Sequence, residues 1–553
     1  MMTILKSPLN FLFLSFFCLT SIAAPIQEDD QRFHPVAAEQ GMVATQEKHA
    51  TEAGVLMLER GGNAIDAAVA VGFALAVTLP KAGNLGGGGF MMIKHGKPEN
   101  IIALNYREKA PLAATKDMYL DKDGNVDQYK VSSTHLAAGV PGTVAGLLWA
   151  QKHYGTLSLK TIMAPVIKLA KDGFVVEPYF AESLKDAMPQ LMASKASQKI
   201  FLKSNGSLYQ AGDIFKQPEL ARTLQLISEQ GEKAFYEGVI AKQIVADMQK
   251  HGGLITLEDL NKYKVTIEKP VKGNYRGYEV YSMPPPSSGG VILVEILNIL
   301  EGFPIAKYGL NSAQSIHVMT EAMNYAYRDR NKDLGDPEFI KNPINRLTSK
   351  SYAKKIQALI DANKHVPSSQ LSKVNKKDRE SIETTHYSII DKDGNAVANT
   401  YTLNYSYGNG HVVEGAGFLL NNEMDDFTAK VGEPNAYGLI QGEANSIEPQ
   451  KRPLSSMTPT IMISPEGDVY ATGSPGGSRI ITTVLEVILN IVDHNLDIQS
   501  AVNMPRIHSQ LWPDEIRIEQ GFSPDTVSIL ERMGHKISLE EAMGSAQTVR
   551  KQN

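Results

Sequence analysis

Two threonines mark the ends of a predicted β-hairpin. Residues Glu383–Asn404 read ETTHYSIIDKDGNAVANTYTLN. His386–Ile390 and Ala396–Leu403 have the composition and alternation of strands, and turn-type residues join them. Thr384 opens the hairpin, and Thr402 stands near the end of its return strand. A hydroxyl group at either position becomes a nucleophile only if a base activates it.

The segment before Thr384 suggests where such a base would come from. Residues 363–379 are rich in Lys, Ser and Asn and nearly lack large apolar side chains, which predicts a mobile connector. Cutting the bond between Glu383 and Thr384 would make Thr384 an N-terminal residue. Its α-amino group, with an ordinary pKa of about 7.7–8.0, could then accept the proton of its own hydroxyl. On spacing alone, an ordinary strand without a chemical role stays open as the alternative.

A pair of glycines offers a second chemical feature. Gly476 and Gly477 come just before the predicted apolar helix Ile480–Ile491. Backbone N–H groups at such a helix entry can stabilise an oxyanion. A simple entry turn explains the same residues, and both interpretations stay open at this point.

The elements around these residues alternate between buried helices and strands. Ala64–Leu79 is apolar nearly all round, which predicts a helix buried between layers. Thr460–Ser464 and Val469–Thr472 form a second predicted hairpin, and the apolar helix Ile480–Ile491 follows it. Strands flanked by buried helices predict an α+β fold in which sheets are sandwiched between helical layers.

The bulk properties bound the class of protein. A chain of 553 residues and 60.4 kDa forms two or more structural units or one large layered domain. The net charge is −5 and no Lys/Arg block dominates, so nucleic acid is not expected as a partner.

The N-terminus has the features of a signal peptide covering residues 1–23. An apolar run at Leu9–Leu19 is too short to span a bilayer comfortably, and small residues precede cleavage after Ala23 or Ala24. The single cysteine, Cys18, lies inside this segment. We therefore expect an exported protein, periplasmic or secreted, whose mature chain uses no cysteine.

No cofactor or metal is predicted. Asp391–Asn395 and Asp121–Asn125 begin like calcium loops, but their glycine is at the fourth position and no glutamate follows at the twelfth. The glycine run Gly86–Gly89 lacks the Lys-Ser/Thr of a phosphate loop, so it is expected to permit close backbone packing.

Several long motifs, in order, closely resemble the γ-glutamyltranspeptidase family. The resemblance runs from about residue 33 to the C-terminus. The motifs are Asn84–Phe90, Tyr106–Pro111, Pro284–Gly290, Glu383–Asn404, Asn421–Phe427, Pro453–Thr460 and Gly473–Arg479.

This resemblance implies the N-terminal nucleophile hydrolase fold, an αββα sandwich of two stacked antiparallel sheets between helical layers. It implies a proenzyme that cuts itself before Thr384 into a large subunit, residues 24–383, and a small catalytic subunit, residues 384–553, which remain together as a heterodimer. The implied substrates are glutathione and related γ-glutamyl compounds, and the implied acceptors are water, an amino acid or a dipeptide.

The resemblance also implies a role for each site residue. Thr384 is the nucleophile, Thr402 hydrogen-bonds its hydroxyl or the new amino terminus, and Gly476 and Gly477 form the oxyanion hole. A zwitterionic glutamyl group is recognised at both charges, and a tyrosine on the loop Asp425–Asn445 covers the site. The carboxylate is assigned to Arg107, Ser455 and Ser456, the ammonium to Asn404, Glu423 and Asp426, and the lid to Tyr437.

Two alternatives remain beside γ-glutamyl transfer. One is a hydrolase of the same fold that resembles the cephalosporin acylases, and the other is a degenerate, uncleaved binding protein. The second follows from a departure: the family continues past Ala542–Gln547 with a strand that carries Asp-Pro-Arg, whereas this chain stops at Asn553. A shortened C-terminus is expected to weaken folding, maturation or activity.

Overall fold

The computed structural model describes residues 34–96, 100–372, 384–435 and 437–553. The predicted signal peptide, Cys18, residues 373–379 of the predicted connector and Glu383 lie outside these ranges.

The strands are short and distributed along the whole described chain. They are β1 Gly41–Ala44, β2 Gly88–Lys94, β3 Ile101–Tyr106, β4 Phe174–Val175, β5 Ile214–Phe215, β6 Thr266–Glu268, β7 Val271–Tyr275, β8 Tyr278–Ser282, β9 Thr385–Asp391, β10 Ala396–Thr402, β11 Thr460–Ile463, β12 Val469–Thr472, β13 Ile507–His508, β14 Ile516–Ile518, β15 Ile537–Leu539 and β16 Val549–Lys551.

Twenty α-helices lie between the strands in the described part of the chain. They are α1 Lys48–Glu59, α2 Ala64–Thr78, α3 Gln128–Ser133, α4 Thr143–Tyr154, α5 Leu159–Asp172, α6 Pro178–Leu191, α7 Lys195–Phe201, α8 Pro218–Gln230, α9 Glu232–Tyr236, α10 Val239–His251, α11 Leu257–Lys262, α12 Gly289–Leu300, α13 Ile305–Tyr308, α14 Ala313–Asp333, α15 Ile344–Leu347, α16 Lys350–Gln357, α17 Ser368–Leu371, α18 Ile480–Val492, α19 Ile498–Asn503 and α20 Pro524–Arg532.

Two antiparallel sheets form the centre of the molecule. The first has the order β1-β9-β10-β2-β3-β6, and the second has the order β16-β12-β11-β8-β7. The two sheets face each other across an apolar layer that includes Phe90, Met92, Ala398, Ile461 and Ala471. Side chains alternate along a strand, so the neighbours Met91 and Val397 point to the opposite face, toward the helices.

Helices cover the outer face of each sheet. Helix α2 packs on β9 and β10, and every one of its residues is buried, as the apolar sequence predicts. Asn63 and Asp66 close its first turn with a capping box, which satisfies the backbone donors that have no helical partner. Helix α12 packs on β7 and β8 and contacts α14 and α18. The layers are therefore helix, sheet, sheet, helix, as predicted.

The predicted glycine run brings two backbones together. A Cβ atom on Gly87 would lie 2.1 Å from the carbonyl oxygen of Thr402, so only glycine fits beside the end of β10. Asn84 donates to that same carbonyl oxygen at 2.9 Å. The loop between α2 and β2 therefore fixes the strand end that carries Thr402.

The predicted connector is wrong for its described part. Two buried residues hold this segment on the protein: Ser368 begins α17, Ser368–Leu371, and His365 lies between the carboxylates of Glu321 and Asp514. Ion pairing anchors this segment although it lacks large apolar side chains.

Candidate active site

The register of the first sheet places Thr384 opposite Thr402. Strands β9 and β10 pair Thr385 with Tyr401, and one further step along both strands brings the two threonines face to face. Both residues are buried and line the same cavity. The Thr402 hydroxyl oxygen accepts a hydrogen bond from the Asn404 backbone N–H at 2.9 Å. The hairpin thus delivers two hydroxyl groups to one place.

Arg107 follows β3 directly and is fully buried in the wall of this cavity. Its two Nη atoms bind Glu423 and Asp426, and its Nε donates to the carbonyl oxygen of Pro453 at 3.3 Å. Burial alone would lower the pKa of Arg107, but the two carboxylates raise it above its ordinary value. The three groups form an ion network in which the positive and negative charges lie side by side.

A third carboxylate, Glu108, extends this network. Its Oε2 lies 3.8 Å from Arg107 Nη1, and its side chain is completely buried. Burial raises the pKa of Glu108 to about 7, while Arg107 opposes the shift. Burial likewise raises the pKa of Glu423 well above its ordinary value against the attraction of Arg107. Burial therefore opposes the charged form of both glutamates, and Arg107 offsets part of that cost.

Two serines form the wall beside Arg107. Ser455 and Ser456 are buried and line the cavity. The Ser455 carbonyl oxygen accepts from the Ser288 backbone N–H at 2.8 Å and from the Ser288 hydroxyl at 2.7 Å. The Ser455 hydroxyl oxygen accepts from the Met457 N–H at 3.1 Å. These bonds fix the serine backbone and leave both hydroxyl groups at the cavity.

Tyr437 lies over Asn404. The tyrosine hydroxyl donates to the Asn404 backbone carbonyl oxygen at 2.9 Å and also contacts the Asn404 side-chain oxygen. Asn404 has φ 79°, a left-handed conformation that asparagine tolerates better than most residues. Its carbonyl groups are thus covered by the predicted lid residue and do not border the cavity.

The glycine pair forms the turn that enters α18. Gly476 has φ 131° and Gly477 has φ 56°, both in the left-handed half of backbone space that favours glycine. Gly477 borders the cavity, whereas Gly476 stands one residue behind it. The turn is therefore placed where backbone N–H groups could meet a developing oxyanion.

The structure gathers nine of the eleven predicted site residues around the cavity, and Asn404 and Gly476 stand just behind its wall. Sequence analysis missed Arg330, which also borders it. Arg330 belongs to the last turn of α14, and none of the family motifs lies in this helix. Its only sequence signal is an arginine on the buried side of a long helix. Leu439, Leu454, Met457 and Ile480 complete the apolar part of the wall.

Within the described ranges, two clusters of side chains with metal-ligand chemistry lie outside this cavity. They are His135 with Asp247 and His251, and His317 with Glu321 and His535. Hydrogen bonds already satisfy their closest pairs: His135 binds Asp247 at 2.9 Å, and His317 binds His535 at 2.7 Å. The predicted absence of a metal or cofactor stays a prediction.

Comparison with solved structures identifies the class of fold. A cephalosporin acylase from Bacillus halodurans matches with a TM-score of 0.82 at 28% identity, over 97% of this chain and 95% of that chain. A γ-glutamyltranspeptidase from Helicobacter pylori matches with a TM-score of 0.60 at 47% identity, over 61% of this chain and 97% of that chain. The architecture is that of an N-terminal nucleophile hydrolase, which confirms the predicted fold.

Sequence comparison narrows the class. The γ-glutamyltranspeptidase model matches residues 50–553. The glutathione hydrolase proenzyme of Escherichia coli is 52% identical over 544 residues, which cover 97% of this chain and 93% of that protein. The protein of the same name from Pseudomonas sp. is 50% identical over 505 residues, which cover 91% and 88%. The chain belongs to the γ-glutamyltranspeptidase family.

None of the described helices is long and apolar enough to cross a membrane.

Proposed function

We propose that this protein is a γ-glutamyltransferase and glutathione hydrolase that acts through Thr384. One observation carries the proposal: a single buried cavity holds Thr384 together with an arginine and two carboxylates that lie side by side. A nucleophile beside groups of both charges suits a substrate that presents a carboxylate and an ammonium on one carbon atom.

Maturation supplies the base. Cutting the peptide bond between Glu383 and Thr384 gives a large subunit, residues 24–383, and a small subunit, residues 384–553. The new α-amino group accepts the proton of the Thr384 hydroxyl. Thr402, directly opposite, is positioned to hold that hydroxyl or amino group by a hydrogen bond.

Acyl transfer then occurs in two steps, formation of a γ-glutamyl ester and its transfer to the acceptor. The Thr384 oxygen attacks the γ-carbonyl carbon, a C–O bond forms, and the C–N bond of the γ-amide breaks. The proton held by the α-amino group passes to the leaving amine. Water, an amino acid or a dipeptide then attacks the γ-glutamyl ester, and Thr384 regains its proton. The N–H groups of Gly476 and Gly477 would stabilise the oxyanion in both steps.

Substrate binding rearranges the ion network. The α-ammonium of the glutamyl group replaces Arg107 at Glu423 and Asp426, with Asn404 as a further acceptor once Tyr437 moves aside. Arg107 is then released to the α-carboxylate, which Ser455 and Ser456 also bind. Each buried charge keeps a partner of opposite sign, so the exchange avoids the cost of an isolated buried ion.

Export completes the proposal. Residues 1–23 have the charge and apolar pattern of a signal peptide, which would carry the protein to the periplasm or outside the cell.

The decisive experiment compares the wild-type protein with Thr384→Ala. Intact mass and N-terminal sequencing of wild type should give two chains, one of which begins Thr384-Thr385-His386, and the protein should release p-nitroaniline from L-γ-glutamyl-p-nitroanilide. Thr384→Ala should stay a single chain without turnover. A Thr384→Ala protein that is cut and active would show that the nucleophile is another residue.

A cephalosporin-acylase-like activity is the second candidate, because the solved structure with a TM-score of 0.82 bears that name. A substrate without an α-ammonium would leave Glu423 and Asp426 on Arg107. Glutaryl-p-nitroanilide keeps the α-carboxylate but has no ammonium, so it separates the two activities. Faster turnover of the glutaryl than of the γ-glutamyl compound would favour the acylase.

A further inference from the structure

Arg330 is the second buried arginine of the cavity, and its surroundings differ from those of Arg107. Its side chain is 1% exposed. Among the described residues its partners are all neutral. The donor and acceptor pairs are Nε to Ser288 Oγ at 2.9 Å, Nη1 to Asn331 Oδ1 at 3.2 Å, Nη1 to Gln441 Oε1 at 3.3 Å, and Nη2 to Ser456 Oγ at 3.0 Å.

This arrangement leaves a buried positive charge without a contacting carboxylate. Asp426 attracts Arg330 electrostatically, but it binds Arg107. Burial lowers the pKa of Arg330 to about 10, so the guanidinium still carries its charge at neutral pH. A buried cation held only by neutral groups is costly, and an anion that enters the cavity would remove that cost.

Arg330 also fixes both cavity serines. Its Nη2 donates to the Ser456 hydroxyl oxygen, so the Ser456 proton must point away from the arginine. Its Nε donates to the Ser288 hydroxyl, which in turn donates to the Ser455 carbonyl oxygen at 2.7 Å. One guanidinium therefore contacts Ser456 directly and supports Ser455 through Ser288, and the fork geometry of arginine is needed to do both.

We propose that Arg330 is a positioning and specificity-determining residue: it supports the backbone of Ser455 through Ser288, directs the Ser456 hydroxyl proton away from itself, and makes the site select substrates that carry an α-carboxylate. This inference rests on the proposed γ-glutamyl activity. On substrate binding Arg107 exchanges two acids for the α-carboxylate, whereas Arg330 contacts neither acid and lies beside the serine that binds the carboxylate.

The test uses three p-nitroanilides on the matured enzyme. The L-γ-glutamyl compound has both charged groups, the 4-aminobutanoyl compound lacks the α-carboxylate, and the glutaryl compound lacks the ammonium. For Arg330→Gln we expect the KM for the γ-glutamyl compound to rise roughly 100-fold with a much smaller change in kcat. Preference over the 4-aminobutanoyl compound should fall by a similar factor, while preference over the glutaryl compound stays within about 3-fold.

Further variants separate charge from position. Arg330→Lys keeps the charge but cannot bridge Ser288 and Ser456, so its KM should lie between those of wild type and Arg330→Gln. Ser288→Ala removes the hydroxyl that joins Arg330 to Ser455 but leaves the bond of Arg330 to Ser456 and the Ser288 backbone bond to Ser455, so it should raise KM less than Arg330→Gln does. Arg346→Gln is the matched control, because Arg346 is an exposed arginine that pairs with Asp333 outside the cavity. The kinetics of Arg346→Gln should equal those of wild type.

The outcomes are distinguishable. Equal losses on the γ-glutamyl and 4-aminobutanoyl compounds, or a loss in kcat alone, would overturn the assignment of Arg330. If Arg330→Gln remains uncut, Arg330→Lys decides: an unchanged preference for the γ-glutamyl over the 4-aminobutanoyl compound overturns the proposal, and a reduced preference supports it. A wild-type enzyme that is cut but inactive on the γ-glutamyl compound would instead overturn the proposed function.

Discussion

At the scale of single residues, the contacts of Arg107 explain why an arginine stands in the wall of the cavity. Its two Nη atoms reach two different carboxylates, Glu423 and Asp426, from one planar group. A lysine ammonium is a single point charge on a flexible stem and cannot hold both acids in the same geometry. All three side chains are buried or nearly so, and a buried ion network is stable only when every charge has its partner.

Arg107→Lys is therefore expected to mature but to bind substrate poorly. We expect its KM for L-γ-glutamyl-p-nitroanilide to rise about 100-fold, since the bidentate contact with the carboxylate is lost. Arg107→Gln should also lose about 3–5 kcal/mol of unfolding free energy, because it leaves two buried carboxylates without their cation. Steady-state kinetics and denaturant unfolding measure the two effects.

The control for the two Arg107 variants is Arg276→Lys, since Arg276 pairs with Asp493 away from the cavity. Its KM should equal that of wild type. A wild-type KM in Arg107→Lys would mean that the α-carboxylate is bound elsewhere.

Site residues differ in how far sequence could place them. Thr384 and Thr402 fall opposite each other because a hairpin fixes its own register, which local sequence encodes. Arg330 could not be placed, because its contact with Ser456 joins a helix end to a loop 126 residues later. The pairing of Arg107 with Glu423 and Asp426 was not predicted either. The motifs assign these three side chains to the two charged groups of the substrate, whereas the structure shows that they also pair with one another.

At the scale of elements, α14 joins the active site to an anchoring cluster. Arg330 stands in its last turn, and His317 and Glu321 belong to its first half. Glu321 binds His365 Nδ1 at 2.6 Å, and Asp514 binds His365 Nε2 at 3.0 Å. These bonds hold the segment that leads toward the proposed cleavage site. Composition alone predicted a loose connector there, since it cannot show that a histidine will meet two carboxylates from distant elements.

This cluster should give stability a characteristic pH dependence. Burial disfavours the charged form of His365, but Asp514 and Glu321 outweigh it and raise the pKa of His365 to about 9. The folded state then holds this proton more tightly than the unfolded state, so the stabilisation is complete below about pH 6.5 and is lost as the pH rises toward 9. Burial and the neighbouring His365 and His317 lower the pKa of His535 to about 3, which destabilises the fold as the pH falls below about 6.5.

His365→Gln should remove the alkaline side of this profile. In wild type we expect the cluster to contribute up to about 3 kcal/mol at pH 6.5 that disappears by about pH 9. In His365→Gln the melting temperature should be lower at pH 6.5 and should change less between pH 6.5 and 9. Thermal unfolding across this range measures it, with the exposed His153→Gln as control. An unchanged slope in His365→Gln would assign the pH dependence to other groups.

At the scale of the whole molecule, both sheets combine strands from the two sides of the proposed cleavage site. In the first sheet β9 and β10 lie between β1 and β2, and in the second sheet β11 pairs with β8. The layered architecture follows from buried helices and alternating strands that the sequence displays. The order of the strands does not, because pairing across several hundred residues is decided by the packing of whole layers.

The two chains formed by cleavage should therefore behave as one folding unit. Separating them would break the pairing of β9 with β1, of β10 with β2 and of β11 with β8, and would expose the apolar layer between the sheets. We expect the matured protein to elute at the mass of one large and one small chain together, and to show one unfolding transition in which both chains unfold at the same denaturant concentration. The uncut Thr384→Ala protein is the control, with the same packing and an intact chain. Dissociation into folded single chains below that concentration would show that the strand pairing between the two chains does not make them one folding unit.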